Sequence, residues 1–222
     1  MFGKLFKAFL DILRSKDWLT ARIWRFKIHR KLIPVTWDLT SYCLKKAFDS
    51  ELPRKSFRFL DMGSGQVGLL GHYVKSHWSS AEVWCVDIYP EFVENIKFNA
   101  KRNCLDIVCI KSDLFSDVTG KFNVIAFNPP YVPDSEGLHL DYPHIRYGGG
   151  DGAETTRRFL ALAKGHLEPG GRVFLGINCF YLPETLCKRL IDEHRYDLEK
   201  TIKRSIFNTA RVFILKPKPQ AS

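Results

Sequence analysis

Asn128-Pro129-Pro130-Tyr131 is the run in this chain whose residue types say most about chemistry. A residue before proline is driven into extended backbone, so Asn128 and Pro129 are both held straight. Neither proline carries an N–H. The run therefore offers acceptors without competing donors: the Asn128 side-chain oxygen and the Pro129 carbonyl. A planar NH2 group can give one hydrogen to each, which aims its nitrogen and raises the electron density on it. Tyr131 supplies a flat ring on which such a group can stack. Asn-Pro also marks ordinary turns. This one, however, follows Phe122–Phe127, which reads as a strand, and ligands bind beyond the carboxyl ends of strands in open α/β sheets.

A second constellation lies at Asp61-Met62-Gly63-Ser64-Gly65-Gln66-Val67-Gly68. Here a GxGxxG pattern sits between a strand-like run and a helical one, where glycine permits a tight turn and close approach of a ligand to backbone. Asp61, two residues before Gly63, decides which ligand. A carboxylate there repels a pyrophosphate, which disfavours a dinucleotide oxidoreductase. It complements the ammonium and sulfonium of S-adenosylmethionine. Asp87 closes the next strand and can accept from both ribose hydroxyls; its rival role is an N-cap before Pro90. Asp113, after the third strand, is the candidate acceptor for the adenine amino group, against the alternative of a capping Asp. Ile88 and Leu114 beside them, with Gly63, Gly65 and Asn128, complete the candidate cofactor contacts. Methyl transfer is an in-line displacement at carbon, and positioning alone can supply roughly 7–11 kcal/mol. It needs no metal or covalent nucleophile. The 6 cysteines include no pair at CxxC spacing, which speaks against zinc and for a reducing compartment.

The elements that position these residues alternate. Strands are expected at Phe57–Met62, Glu82–Val86, Ile107–Ile110, Phe122–Phe127 and Arg172–Ile177, with two more to close the sheet, the last near Arg211–Leu215. Helices are expected from about Gly68, over Pro90–Arg102, near Glu154–Leu167 and over Pro183–His194, and Pro169-Gly170-Gly171 leads into the fifth strand. Strand–helix alternation predicts an α/β, Rossmann-like parallel sheet with helices on both faces. Three parts follow: a basic, mostly helical extension over 1–56, a catalytic domain over 57–216, and a frayed tail over 217–222. Loop 133–152 is long enough to be a substrate-facing lid.

Charge is uneven. Residues 1–58 carry 14 Lys and Arg against 5 Asp and Glu, a net of +9, while the remainder carries 20 against 19, a net of +1. Phe2, Leu5, Phe6, Phe9, Leu10 and Leu13 recur at helical spacing between charged residues. That amphipathic helix packs on the body or meets an anionic partner, nucleic acid or a membrane surface. A second basic stretch, Arg22–Lys31, holds Trp24, Phe26 and Ile28, and Pro34 interrupts it. No apolar run is long enough to span a bilayer and no signal-peptide core follows Met1, so a cytoplasmic location is expected.

Asp61, Gly63, Gly65, Asp87 and Asn128–Tyr131 together resemble the class I methyltransferases that modify glutamine N5 in peptide-chain release factors or a ribosomal protein. The resemblance runs over roughly residues 57–215. It extends through Tyr131-Val132-Pro133, Gly148-Gly149-Gly150-Asp151-Gly152 with Arg157 and Arg158 after it, and Leu167-Glu168-Pro169-Gly170-Gly171. It implies S-adenosylmethionine as cofactor, a seven-stranded sheet whose last hairpin gives one antiparallel strand, and a target amide held by Asn128, Pro129 and Tyr131. The Asn-Pro-Pro-Tyr run is shared with N6-adenine methyltransferases. The leading segment, short, basic and aromatic, differs from the usual recognition domain. The acceptor thus stays open between a protein glutamine (a translation factor or ribosomal protein), an adenine in nucleic acid, and a small planar amine. A catalytically silent binding module is the remaining reading, and the intact Asp61, Asp87 and Asn128 speak against it.

Overall fold

The computed structural model describes residues 16–29, 37–136, 145–203 and 209–219. The expected amphipathic helix near the N-terminus, the Pro34 interruption and the middle of loop 133–152 lie outside those residues. The elements run α1 (Asp17–Trp24), α2 (Leu39–Glu51), β1 (Arg58–Met62), α3 (Leu69–His77), β2 (Glu82–Asp87), α4 (Pro90–Arg102), β3 (Ile107–Lys111), β4 (Phe122–Phe127), α5 (Glu154–Ala163), β5 (Leu167–Asn178), α6 (Glu184–Glu193), β6 (Tyr196–Ile202) and β7 (Ala210–Pro217).

Seven strands form one sheet in the order β3-β2-β1-β4-β5-β7-β6. The β1, β2, β3, β4 and β5 pairings are parallel, and β7 runs antiparallel to both β5 and β6. This is the expected fold. Successive strand residues point to opposite faces, and both faces are covered. Leu60, Met62, Ile125, Phe127 and Leu175 pack against Phe159, Leu160 and Leu190 of α5 and α6. Phe59, Val124, Ala126 and Phe174 pack against Leu44, Phe48, Leu70 and Ile96 of α2, α3 and α4. Double coverage is why these strands read as continuous apolar runs.

Two expectations are corrected. β5 begins at Leu167 rather than Arg172, because Pro169-Gly170-Gly171 is absorbed as an irregularity in the strand: Phe122 pairs Leu167 while Val124 already pairs Arg172. The tail is held further than expected. Pro217 ends β7, and Lys218 donates its N–H to the Arg195 carbonyl at 2.9 Å.

The leading segment is bound to the body by side-chain amides. Phe26 and Ile28 turn inward and are buried. The backbone around Lys27 and His29 is clasped by asparagines spaced four apart along α4 and at its C-cap, Asn103. Asn103 accepts from the Lys27 N–H and donates to its carbonyl, both at 2.7 Å. Asn99 does the same for His29, at 2.7 and 3.0 Å. Asn95 Nδ2 donates to the His29 carbonyl and to Gln66 O at 2.7 Å, reaching the glycine loop.

Strand order reverses direction between β1 and β4, the switch point where open α/β sheets bind ligands. Met62 is register partner to both Val86 and Phe127. Gly63, Asp87 and Asn128, each the next residue along, therefore emerge in one row at the carboxyl edge.

Candidate active site

The candidate acceptor side of the site centres on Asn128. Its Nδ2 donates to Ser41 Oγ at 3.2 Å and lies 3.4 Å from Asp38 Oδ1. Its Oδ1 is sealed from water and has no hydrogen-bond partner among the described residues. Asp38 is the N-cap of α2, where its Oδ1 accepts from the Ser41 N–H at 2.7 Å and from Ser41 Oγ at 2.9 Å. Its other oxygen accepts from the Tyr131 hydroxyl at 2.7 Å. Thr40 Oγ1 stands 3.2 Å from the same hydroxyl. Burial, and then the Asp38 charge, push the Tyr131 hydroxyl well above the usual phenol range, so it stays protonated. The Tyr131 ring lies nearly parallel to Tyr181, with centroids 6.2 Å apart, and Phe180, 74% exposed, stands edge-on to Tyr181.

The glycine run after the loop braces this turn from behind. Val132 exchanges backbone hydrogen bonds with Arg146 and Gly148. A Cβ on Gly148 would lie 2.3 Å from the Gly152 carbonyl oxygen and 2.5 Å from that of Pro130. Only glycine fits so close a backbone approach. Asp151 takes a two-pronged ion pair from Arg157, which holds its carboxyl down at about 2.

The candidate cofactor side carries two buried carboxylates. Asp61, one residue before the end of β1, is buried; Oδ2 accepts from the Gly71 N–H at 2.9 Å, and Oδ1 has no partner among the described residues. Burial pushes it up to about 7. Asp87 ends β2, with Oδ2 accepting from the Gly65 N–H at 2.8 Å and Oδ1 from the Tyr89 N–H at 3.1 Å. Burial raises it to about 6. The helix N-cap before Pro90 is Tyr89, so Asp87 braces the glycine loop instead of capping α4. Gly63 has φ +59°, and a Cβ there would meet the Phe127 ring at 2.9 Å. Ile88 is half-buried beside Asp87, and Leu114 is buried with φ +49°.

Asp113 stands apart from this row. Its carboxylate pairs with Arg158 at 2.7 Å near the surface. The group that ties the turn down is Ser112, which donates its N–H to the Asp87 carbonyl at 2.9 Å and its hydroxyl to Leu114 O at 2.9 Å. The arginine is a competitor for the adenine role expected of Asp113.

The sequence reading missed Asp38, Thr40 and Ser41. Asp38-Leu39-Thr40-Ser41 is legible as a helix cap, but nothing in a cap announces a partner 90 residues later. Among the described residues no group of three His, Cys, Asp or Glu gathers as a metal site.

Residues 36–204 match the methyltransferase small domain family. The chain is 34% identical over 128 residues to a release factor glutamine methyltransferase of Deinococcus radiodurans, covering 54% of this chain and 45% of that one. It is 30% identical over 154 residues to ribosomal RNA small subunit methyltransferase C of Pasteurella multocida, covering 68% and 41%. The chain thus spans about half the length of the curated relatives it matches. A Pyrococcus furiosus methyltransferase shares the fold, with TM-score 0.69 at 22% identity over 94% of this chain and 96% of that one. With the switch-point geometry and a family match over most of its length, the chain belongs to the methyltransferase small domain family.

Proposed function

We propose that this chain is an S-adenosylmethionine-dependent N-methyltransferase acting on a planar nitrogen, first a glutamine side-chain amide of a protein. The observation that carries the reading is the state of Asn128: its amide nitrogen is engaged from behind, and its oxygen has no partner among the described residues. A buried acceptor without a donor costs about 1–3 kcal/mol, and that cost is recovered when an NH2 group reaches it. The Pro129 carbonyl takes the second hydrogen. With both hydrogens held, the nitrogen is fixed and enriched in electron density.

The residues of the cofactor side fit S-adenosylmethionine. Asp61 Oδ1, buried and unpartnered, suits an ammonium group, and Asp87 suits ribose hydroxyls while holding the Gly63–Gly65 turn open. Ile88, Leu114 and the turn containing Asp113 would border the adenine. Bound there, the cofactor supplies a methyl group on a sulfonium. Two relatives, one named for release factors and one for ribosomal RNA, fit a macromolecular acceptor. A second reading, an exocyclic base amine such as adenine N6 in nucleic acid, draws on the rings at the site mouth: Tyr181 parallel to Tyr131, and exposed Phe180 beyond it. Flipped bases are held by such stacking.

The test is transfer of labelled methyl from S-adenosylmethionine into fractionated protein, nucleic acid and metabolites. Label in protein, released by protease as methylated glutamine, is expected. Label confined to nucleic acid would move the assignment to the base amine, and no label in any fraction would remove the enzymatic reading.

A further inference from the structure

The hydrogen bonds behind Asn128 form a chain with one direction. Asp38 is a carboxylate and, ionised, can only accept. Its Oδ2 takes the single hydrogen of the Tyr131 hydroxyl, at 2.7 Å. Tyr131 then has only lone pairs left, so Thr40 Oγ1, 3.2 Å away, must be the donor in that contact. Asp38 Oδ1 takes the single hydrogen of Ser41 Oγ, at 2.9 Å. Ser41 Oγ in turn has only lone pairs for Asn128, 3.2 Å away. Asn128 must therefore turn its NH2 inward and its oxygen outward. The two ends of a carboxamide are nearly the same size, so shape alone would not choose between them. Donor counting chooses, and the count starts at Asp38.

We propose that Asp38 is a positioning residue that sets the hydrogen-bond polarity of the acceptor site, so that Asn128 accepts from an incoming NH2 group and does not donate to an incoming carbonyl. This rests on the reading of Asn128 given above. It makes Asp38 a specificity determinant. With Asn128 locked as an acceptor, a carboxamide or amine is gripped, while a carboxylate in its place meets lone pairs. Asp38 touches no reacting atom; it acts through Ser41 and Asn128, across 90 residues of chain. Its position as N-cap of α2 ties that polarity to a rigid helix end, where the helix dipole favours the anion.

The test compares Asp38→Ser and Asp38→Asn with Asn128→Ala, alone and combined, in the full chain. Serine and asparagine both cap helices, so melting temperatures should stay near wild type and folding is controlled for. Transfer into the acceptor fraction labelled by wild type is expected to fall roughly 10- to 100-fold in either variant, as for loss of a charge-assisted contact. Cofactor affinity by calorimetry should not change. In the Asn128→Ala background, Asp38→Asn should cost nothing further, because its route is already cut. Nitrogen-15 spectra supply a readout that needs no substrate. The Asn128 side-chain NH2 protons, assigned by their absence in Asn128→Ala, should exchange slowly in wild type and fast in Asp38→Ser. Wild-type transfer by both Asp38 variants with Asn128→Ala inactive overturns this proposal alone. So does a full additional loss in the double variant, or unchanged exchange in Asp38→Ser. Full activity of Asn128→Ala overturns the functional reading instead, and the exchange measurement still decides the orientation.

Discussion

The two sides of the site are made in opposite ways. The proposed cofactor side is local: Gly65 and Asp87 meet across 22 residues of one strand–loop–helix–strand unit. Its carboxylates are buried, and burial penalises the charged form, raising them to about 7 for Asp61 and about 6 for Asp87. The acceptor side is non-local: Asp38 reaches Asn128 and Tyr131 across 90 and 93 residues. Among the described residues its side-chain polar groups are paired, except for Asn128 Oδ1. One side thus suits a positive charge, while the other is a paired frame with a single unpartnered acceptor. The difference predicts that variants on the two sides separate cleanly, affinity for cofactor on one and turnover on the other.

The largest expected effect is on the acceptor side. Asn128→Ala should fold, bind S-adenosylmethionine with wild-type affinity and lose about 10- to 150-fold in turnover, the value of 1.5–3 kcal/mol for a hydrogen bond to a group gaining charge. Steady-state transfer with parallel calorimetry checks it. A loss of cofactor affinity as large as the loss of turnover would erase the distinction between the two sides.

Asp61→Asn should do the reverse, weakening cofactor binding about 10- to 150-fold while leaving the fold intact. The pH dependence sharpens this. With Asp61 raised to about 7, the cofactor-free protein holds a proton there below that pH. An ammonium favours the anion, so affinity should climb as pH rises through 6 to 7 and level off above 8. Binding at pH 6 should release a proton, read by calorimetry in buffers of different ionisation enthalpy. For stability the sign is opposite. A carboxyl raised in the folded state favours folding below its ordinary value near 4 and loses that contribution as pH climbs through about 7. The cofactor-free protein should therefore melt lower at pH 8 than at pH 5. In Asp61→Asn both trends should shrink to the part centred near 6 that belongs to Asp87.

Gly148→Ala should be smaller but felt on the acceptor side. Its Cβ would press on the Pro130 carbonyl, so the strain falls on the turn that carries Asn128. About 1–3 kcal/mol of overpacking corresponds to roughly 2–12 °C in melting temperature for a chain this size. Turnover should fall with cofactor affinity preserved; a variant that melts and turns over as wild type would show that the glycine run does not brace the turn.

Legibility follows the same division. The strand order, and the placing of the glycine loop, Asp61 and Asp87 together at one edge of the sheet, are legible because each depends on a local pattern: an apolar run, a turn, and a carboxylate at a strand end. The Asn128 turn was readable because prolines dictate backbone without help from distant residues. Asp38 was not, since its partners are set by how α2 packs on the sheet. The ion pair between Asp113 and Arg158, 45 residues apart, is likewise visible only in the fold. The asparagines of α4 read as polar residues on a helix face; that they clasp an extended segment is again a fact of packing.

That clasp gives the smallest prediction and a control on the comparison. Asn103 pairs with Lys27 in an exposed position and also donates to the Asn99 carbonyl at 2.8 Å, so Asn103→Ala loses three hydrogen bonds, about 0.5 kcal/mol each near the surface, a few degrees in melting temperature. Its neighbour Asn95 ties the same segment to Gln66 in the glycine loop. If the segment only packs on the body, Asn103→Ala should leave cofactor affinity and turnover unchanged. If affinity falls while turnover at saturating cofactor holds, the leading segment is a working part of the cofactor side, and that side too depends on residues outside its own strand–loop–helix–strand unit. Calorimetry on this one variant therefore decides whether locality belongs to the cofactor side itself or only to the part of it that a sequence can display.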